Sequence, residues 1–200
     1  MPMDAVLVIA CGALAHDLVR VKNLNQWDHL EIQCLPAELH NEPQKIPDAI
    51  RLKVNENRGK YRDILIGYSD CGTGGLLDAV IQEEGLERLP GAHCYEMFTG
   101  EAGFKKLHEA EPGTFYLTDF LARHFDRLVI KGLGLDRFPE LKDTYFTHYR
   151  KLVFLAQLND EEVDRKAKEA ADFLGLEYVR IETGDQFLES ALSVKIGTLR

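Results

Sequence analysis

No stretch of this sequence carries the roughly 20 consecutive apolar residues that a bilayer-spanning helix needs. The apolar stretch near the start ends after about seven residues, and Met1-Pro2-Met3-Asp4 ahead of it has no basic region of the kind that opens a secretory leader. The expectation is a buried first strand in a cytoplasmic protein with no membrane partner. Basic charge is short as well: 24 Lys and Arg stand against 33 Asp and Glu, a net charge of -9. Neutralising a phosphate backbone needs a concentrated excess of Lys and Arg, so nucleic acid is not an expected partner. Cysteine is scarce and dispersed. Cys11, Cys34, Cys71 and Cys94 form no Cys-x-x-Cys pair, which leaves a zinc ribbon, a ferredoxin-like loop and a thioredoxin-like motif without support. In a reducing compartment four such thiols are read as metal-binding, catalytic or buried rather than disulfide-paired. There is no Gly-Lys-Ser or Gly-Lys-Thr for a phosphate loop, and no internal repeat, low-complexity tract or long linker.

What is present is an alternation. Two hundred residues, 45% hydrophobic and 28% charged, describe a soluble globular chain with one substantial core, so one domain over 1–200 is expected. Short apolar, often β-branched runs occur at Ala5–Cys11, Leu30–Leu35, Asp63–Tyr68, more weakly Ala92–Phe98, then Lys151–Gln157 and Leu176–Ile181. Helical patterns lie between them. Asn41–Val54 has Pro43 near its start, Gly74–Glu84 follows a glycine turn, and Asn159-Asp160-Glu161-Glu162 opens a helix that ends at Leu174-Gly175. Strands alternating with helices imply an α/β fold: an open, mainly parallel sheet with helices on both faces, three layers in the Rossmann-like manner. Residues 99–149 read as mostly helical, with a short extended stretch at Gly113–Leu117 and Thr118-Asp119 placed to cap Phe120–Leu128. That segment is expected to be a helical insertion near the sheet's carboxyl edge.

The carboxyl edge of a parallel sheet is where loops and helix N-termini converge on ligands. Cys11 and Cys34 end the first two predicted strands, and Cys71 follows the third in "GYSDCGTGG". A strand order 2-1-3-4 would set the outermost thiols about 14 Å apart before loops fold inward, with Cys11 and Cys71 the easiest pair to unite. A cysteine at a buried strand end is more often packing than chemistry. Cys71 differs, because a glycine-rich turn before a helix N-terminus favours a thiolate. Gly72, Gly74 and Gly75 are read as the turn that carries it, with backbone N–H groups able to bind an anion or cofactor. The dinucleotide fingerprint itself fails, since Leu77 stands where its third glycine belongs.

Histidines accompany the cysteines. "CLPAELHN" places His40 six residues after Cys34, and "GAHCYEMF" sets His93 beside Cys94. On a strand His93 and Cys94 would point to opposite faces, so at most one would serve a given site; only a loop would free both. A mixed thiolate and imidazole set suits zinc or iron, with Glu38 or Glu96 as carboxylate ligand or proton carrier. His16, His29, His108, His124 and His148 read as helix or surface residues, and Tyr145 with Tyr149 as an aromatic core face.

The ordered segments "ACGALAHDL", "CLPAELHN", "GYSDCGTGG", "PGAHCYEMF", "GTFYLTDFLARHFD" and "GLGLDRFPEL" resemble the family catalogued as domain of unknown function 1638 over nearly the whole chain. The most specific parts are Asp70–Gly74 and His93–Glu96. Its members are often encoded beside trimethylamine-methyltransferase-like and corrinoid proteins, so the resemblance implies a place in corrinoid-linked one-carbon metabolism. The corrinoid would be reached only through a partner, a corrinoid protein or methyltransferase. Known zinc enzymes that pass a corrinoid-borne methyl group to a thiol are longer (β/α)8 barrels with a His-x-Cys motif, whereas here His93 and Cys94 are adjacent.

The leading expectation is therefore a cytoplasmic metalloprotein assisting methyl transfer to a small-molecule substrate. Its metal set is Cys11, Cys71 and Cys94 with His93 or His40, and Glu96 or Glu38 moves protons. A metal-free enzyme with Cys71 as nucleophile, a non-catalytic accessory protein, an iron–sulfur protein, and a homo-oligomer all stay open from the sequence.

Overall fold

The computed structural model describes residues 4–198; Met1, Pro2 and Met3, part of the leader argument above, lie outside the described residues. The chain divides into two compact units. One runs up to Met97 and resumes at Asp185, and the other is Phe98–Gly184.

The first unit contains β1 (Val6–Cys11), α1 (Ala15–Leu24), β2 (Leu30–Leu35), α2 (Ile46–Asn57), β3 (Asp63–Gly67), α3 (Leu76–Glu84) and the short β4 (Glu87–Arg88). The strands are all parallel, in the order β2-β1-β3-β4; the 2-1-3 order is the one expected from the sequence, while the fourth strand is Glu87–Arg88 and not the predicted Ala92–Phe98. Every residue of β1 is buried, which is why it reads as a continuous apolar run and takes the middle of the sheet. The chain leaves this unit through a single turn, α4 (Glu96–Thr99), and after the second unit returns as α9 (Gln186–Thr198). Helix α1 packs beside α9 and α2 beside α3, the two helix pairs of a three-layer arrangement. Arg20 on α1 reaches Asp17 at 2.6 Å and Asp185, just ahead of α9, at 2.5 Å.

The second unit has its own parallel sheet, β5-β6-β7, from β5 (Thr114–Thr118), β6 (Lys151–Ala156) and β7 (Glu177–Glu182). Its helices are α5 (Glu101–Ala110), α6 (Asp119–Arg123), a π-helical segment at Asp126–Lys131, α7 (Leu141–Phe146) and α8 (Glu161–Leu174). Val163, Ala167, Ala170 and Ala171 of α8 enter a core with Leu117, Leu152 and Phe154. Asp160 caps α8 by accepting the N–H groups of Glu162 and Val163, and Gly175 closes it in the left-handed conformation. Buried Asp119 and Gln157 clasp the carboxyl ends of β5 and β6: Asp119 Oδ1 accepts the Gln157 N–H and Gln157 Oε1 accepts the Asp119 N–H. The parallel α/β class read from the sequence is present, with its strands divided between two sheets. Segment 99–149 is mostly helical and also supplies β5, the first strand of the second sheet.

One predicted element is corrected. Ala92–Phe98 is not a strand: residues 91–95 form a bent loop that runs into α4. Its backbone is committed elsewhere. The carbonyls of Gly91 and Ala92 accept the N–H groups of Asp70 and Cys71, while the Ala92 and His93 N–H groups go to the Glu96 carboxylate. These groups are not available to a strand ladder. No helix among the described residues is long and apolar enough to cross a membrane.

Candidate metal centre

The site grows from the carboxyl ends of adjacent β1 and β3. Their backbones run close at Gly67, where an added Cβ would meet the Ala10 Cβ at 2.8 Å. Beyond Gly67 the chain passes Tyr68 and turns. Three hydrogen bonds stitch the turn to the loop after β4: Ser69 Oγ to the Pro90 carbonyl at 3.1 Å, Asp70 N–H to Gly91 at 3.2 Å, and Cys71 N–H to Ala92 at 3.0 Å. The Asp70 carboxylate then gathers the turn from inside. It accepts Thr73 Oγ1 at 2.5 Å, the Gly75 N–H at 2.9 Å and the Gly74 N–H at 3.1 Å. Held this way, Cys71 sits at φ 51°, a left-handed conformation that costs a side-chain-bearing residue roughly 1–2 kcal/mol. Gly72, Gly74 and Gly75 also have positive φ, which explains the density of glycine around it.

Cys94 is brought in by the stitched loop. Glu96 Oε1 accepts the N–H groups of Ala92 at 3.1 Å and His93 at 3.3 Å, tightening the bend that presents it. His40 arrives from the other side, on the 3-10 turn Ala37–Asn41 that follows β2. Its ring stacks on Tyr68, with centroids 6.5 Å apart and planes inclined by 15°. The outcome is one group of three: ligand atoms of His40, Cys71 and Cys94 all lie within 4.8 Å of one another. Cys11 stands next to it, its Sγ 3.4 Å from His40 Nδ1 and accepting the Ala13 N–H at 3.3 Å.

The electrostatics polarise these groups. Hydrogen bonding with the Cys94 thiol, and then with His40, outweighs burial and lowers the pKa of Cys71. Cys94 moves well upward, because of the Cys71 sulfur first and burial second. Burial works against a charged His40, but the sulfurs of Cys11 and Cys71 overcome it and raise its pKa. Cys71 is thus the sulfur on which negative charge collects.

The donor set fits a metal ion. Tetrahedral zinc with bonds of about 2.3 Å to sulfur and about 2.0 Å to nitrogen separates its ligand atoms by about 3.5–3.8 Å, a small contraction of the group. One imidazole and two thiolates fall short of the four protein ligands that an iron–sulfur cluster takes. Among the described residues no fourth His, Cys, Asp or Glu joins the mutual group. Three protein ligands and one open position is the pattern of catalytic zinc sites, whereas structural sites are closed by four.

The structure treats the sequence candidates differently. Cys71, Cys94 and His40 are united, and Cys11 lies beside His40 without entering the mutual group. His93 is exposed and outside the group, since the bend turns Cys94 inward at its expense. Glu96, expected to carry protons, uses Oε1 to hold the loop, and Glu38 is exposed on the 3-10 turn and not in the group. The Gly74 and Gly75 N–H groups, read as open to an anion, are taken by Asp70. Cys34 is exposed on β2. Two residues were missed: Asp70, whose spacing to Thr73 is the signal of a side-chain-capped turn, and Tyr68, which reads from the sequence as the end of an apolar strand.

A family model described as "Protein of unknown function (DUF1638)" matches residues 34–192. The chain belongs to that family. The DUF1638 match spans His40, Cys71 and Cys94, whereas Cys11 precedes it. No curated protein and no solved structure matches the chain.

Proposed function

We propose that this DUF1638 protein is a metalloprotein in which His40, Cys71 and Cys94 hold zinc, with iron the alternative ion, and that it serves methyl transfer in corrinoid-linked one-carbon metabolism. The observation that carries the metal reading is the convergence of one imidazole and two thiols from three separate loops within 4.8 Å. Packing alone gives no reason to strain Cys71 into a left-handed conformation beside them. The methyl-transfer reading is finer and rests on the open fourth position and the resemblance described above. When bound, the metal supplies Lewis acidity that holds an organic thiol substrate as its thiolate near neutral pH. The thiol proton leaves to solvent. The substrate sulfur's lone pair then forms the bond to the methyl group, and the cobalt–carbon bond of a partner's methylcorrinoid breaks with its electron pair remaining on cobalt.

The test is metal analysis of protein purified without an affinity tag, alongside Cys71→Ser. About one equivalent of metal in the wild type, and its loss in the variant, is expected. Methylcobalamin with a simple thiol then reports demethylation by its change in absorbance; loaded protein without any acceleration removes the methyl-transfer reading and leaves the metal.

The opposed shifts of Cys71 and His40 favour one second reading, a metal-free thiolate–imidazolium pair with Cys71 as nucleophile. Equally metal-poor wild type and variant, with stoichiometric alkylation of Cys71 at mildly acidic pH, would select it.

A further inference from the structure

All four cysteines are free, and two of them, Cys71 and Cys94, hold their sulfurs within 4.8 Å of each other in half-buried positions. The backbones around them run side by side. The Asp70 N–H donates to the Gly91 carbonyl at 3.2 Å and the Cys71 N–H to the Ala92 carbonyl at 3.0 Å, two residues before Cys94, whose own carbonyl accepts the Met97 N–H at 3.1 Å. Both cysteines sit in turns and not in a helix or strand, so side-chain rotation with a small loop adjustment brings the sulfurs to disulfide distance, about 2.05 Å. The pair therefore serves two chemistries that exclude each other. As thiolates the sulfurs hold a metal ion with His40; joined as a disulfide, neither carries the charge that a metal draws on, and of the three ligands His40 alone remains.

Resting on the metal reading above, we propose that the site is a redox-controlled metal switch: a hydroperoxide oxidises Cys71 and Cys94 to a disulfide, the metal ion leaves, and a thiol reductant restores both. One sulfur attacks the terminal oxygen of the hydroperoxide. The O–O bond breaks, the leaving oxygen takes a proton and departs as water or an alcohol, and the attacking sulfur is left as a sulfenic acid. The second sulfur then attacks the first; the S–S bond forms, the S–O bond breaks, and the oxygen leaves with a proton as water. The two sulfurs give up two electrons and the peroxide oxygens receive them. Two protons come from the thiols or, for metal-bound thiolates, from solvent. Cys11 stands outside the mutual group and Cys34 is exposed on β2, so the product is the one disulfide that removes both sulfur ligands at once.

The experiment treats the zinc-loaded full chain with hydrogen peroxide. Zinc release is followed with a chromogenic chelator, and the cysteines are then alkylated and mapped by peptide mass spectrometry. About one equivalent of zinc is expected to leave for each Cys71–Cys94 disulfide formed, with Cys11 and Cys34 recovered alkylated, and excess dithiothreitol should restore zinc binding. Cys34→Ser should respond as the wild type does, which separates the pair from an exposed bystander thiol. Zinc retained after peroxide, oxidation that ends at sulfinic or sulfonic acid without a disulfide, or a disulfide drawn through Cys11 or Cys34 would overturn the switch while leaving the metal site intact. A wild type that takes up no zinc would overturn the metal reading, and this inference with it.

Discussion

Cys11 Sγ lies 3.4 Å from Nδ1 of His40, beside the three-ligand group but outside it. Metal-binding histidines characteristically engage their second ring nitrogen with a neighbour that fixes tautomer and orientation, and loss of that neighbour costs about 10–100-fold in metal affinity. Cys11→Ala is therefore expected to bind metal at wild-type stoichiometry with affinity reduced by about 10–100-fold, read by chelator competition. A direct ligand would behave otherwise. If Cys11→Ala loses metal as completely as Cys71→Ser, Cys11 is the fourth ligand and the open position does not exist.

Asp70 is not one of the three ligand residues, yet it holds the turn that presents Cys71 through Thr73, Gly74 and Gly75. Asp70→Ala leaves two backbone N–H groups and one hydroxyl without their acceptor. A loss of about 1–2 kcal/mol is expected in urea unfolding followed at Trp27, the sole tryptophan and a residue of the same unit. Metal affinity should fall with it, because the strained Cys71 backbone loses its support. Unchanged stability would mean that the loop stitching at Ser69–Cys71 alone secures the turn.

The sheet of the first unit was legible because its signals are local: β1 is buried on both faces and reads as an unbroken apolar run, and a glycine turn marks the start of α3. The gathering of Cys71 was legible for a similar reason, since strand ends of a parallel sheet converge. The choice between His93 and Cys94 was not. It depends on the Glu96 carboxylate capturing two nearby backbone N–H groups and on Asp70 and Cys71 pairing with the distant Gly91 and Ala92, contacts that no periodicity encodes. The division into two sheets escaped for the same reason. Strand runs announce themselves in sequence, but which strands pair is decided by long-range packing.

Gly67 stands where β3 passes β1 most closely. A Cβ there would lie 2.8 Å from the Ala10 Cβ and 3.2 Å from Val8 Cγ1, both in the fully buried central strand. Gly67→Ala is expected to destabilise the first unit by about 1–3 kcal/mol, the usual cost of overpacking a core. Trp27 fluorescence in a denaturant titration checks it. Because β3 leads into the turn that carries Cys71, metal affinity should weaken in the same variant; a wild-type denaturation midpoint would show that the sheet opens without cost.

In the second unit, Asp164 on α8 accepts the Tyr178 hydroxyl at 2.7 Å and pairs with Lys168 at 2.8 Å and Arg180 at 3.2 Å, joining the helix to β7. The hydrogen bond from Lys168, followed by that from Tyr178, lowers the pKa of Asp164 below its ordinary value. A carboxylate whose folded-state pKa is depressed contributes stability that is fully present above the unfolded value, about 3.9. That contribution drains away as pH falls through the folded-state value, because the folded form then takes up the proton it had excluded. Asp164→Asn should accordingly show faster hydrogen exchange than the wild type across residues 161–182 at pH 7, once intrinsic rates are corrected. The gap should narrow below about pH 4 and close where both chains carry a neutral group at position 164. A gap of constant size down to the lowest pH would assign the contact to shape and neutral hydrogen bonding instead of charge.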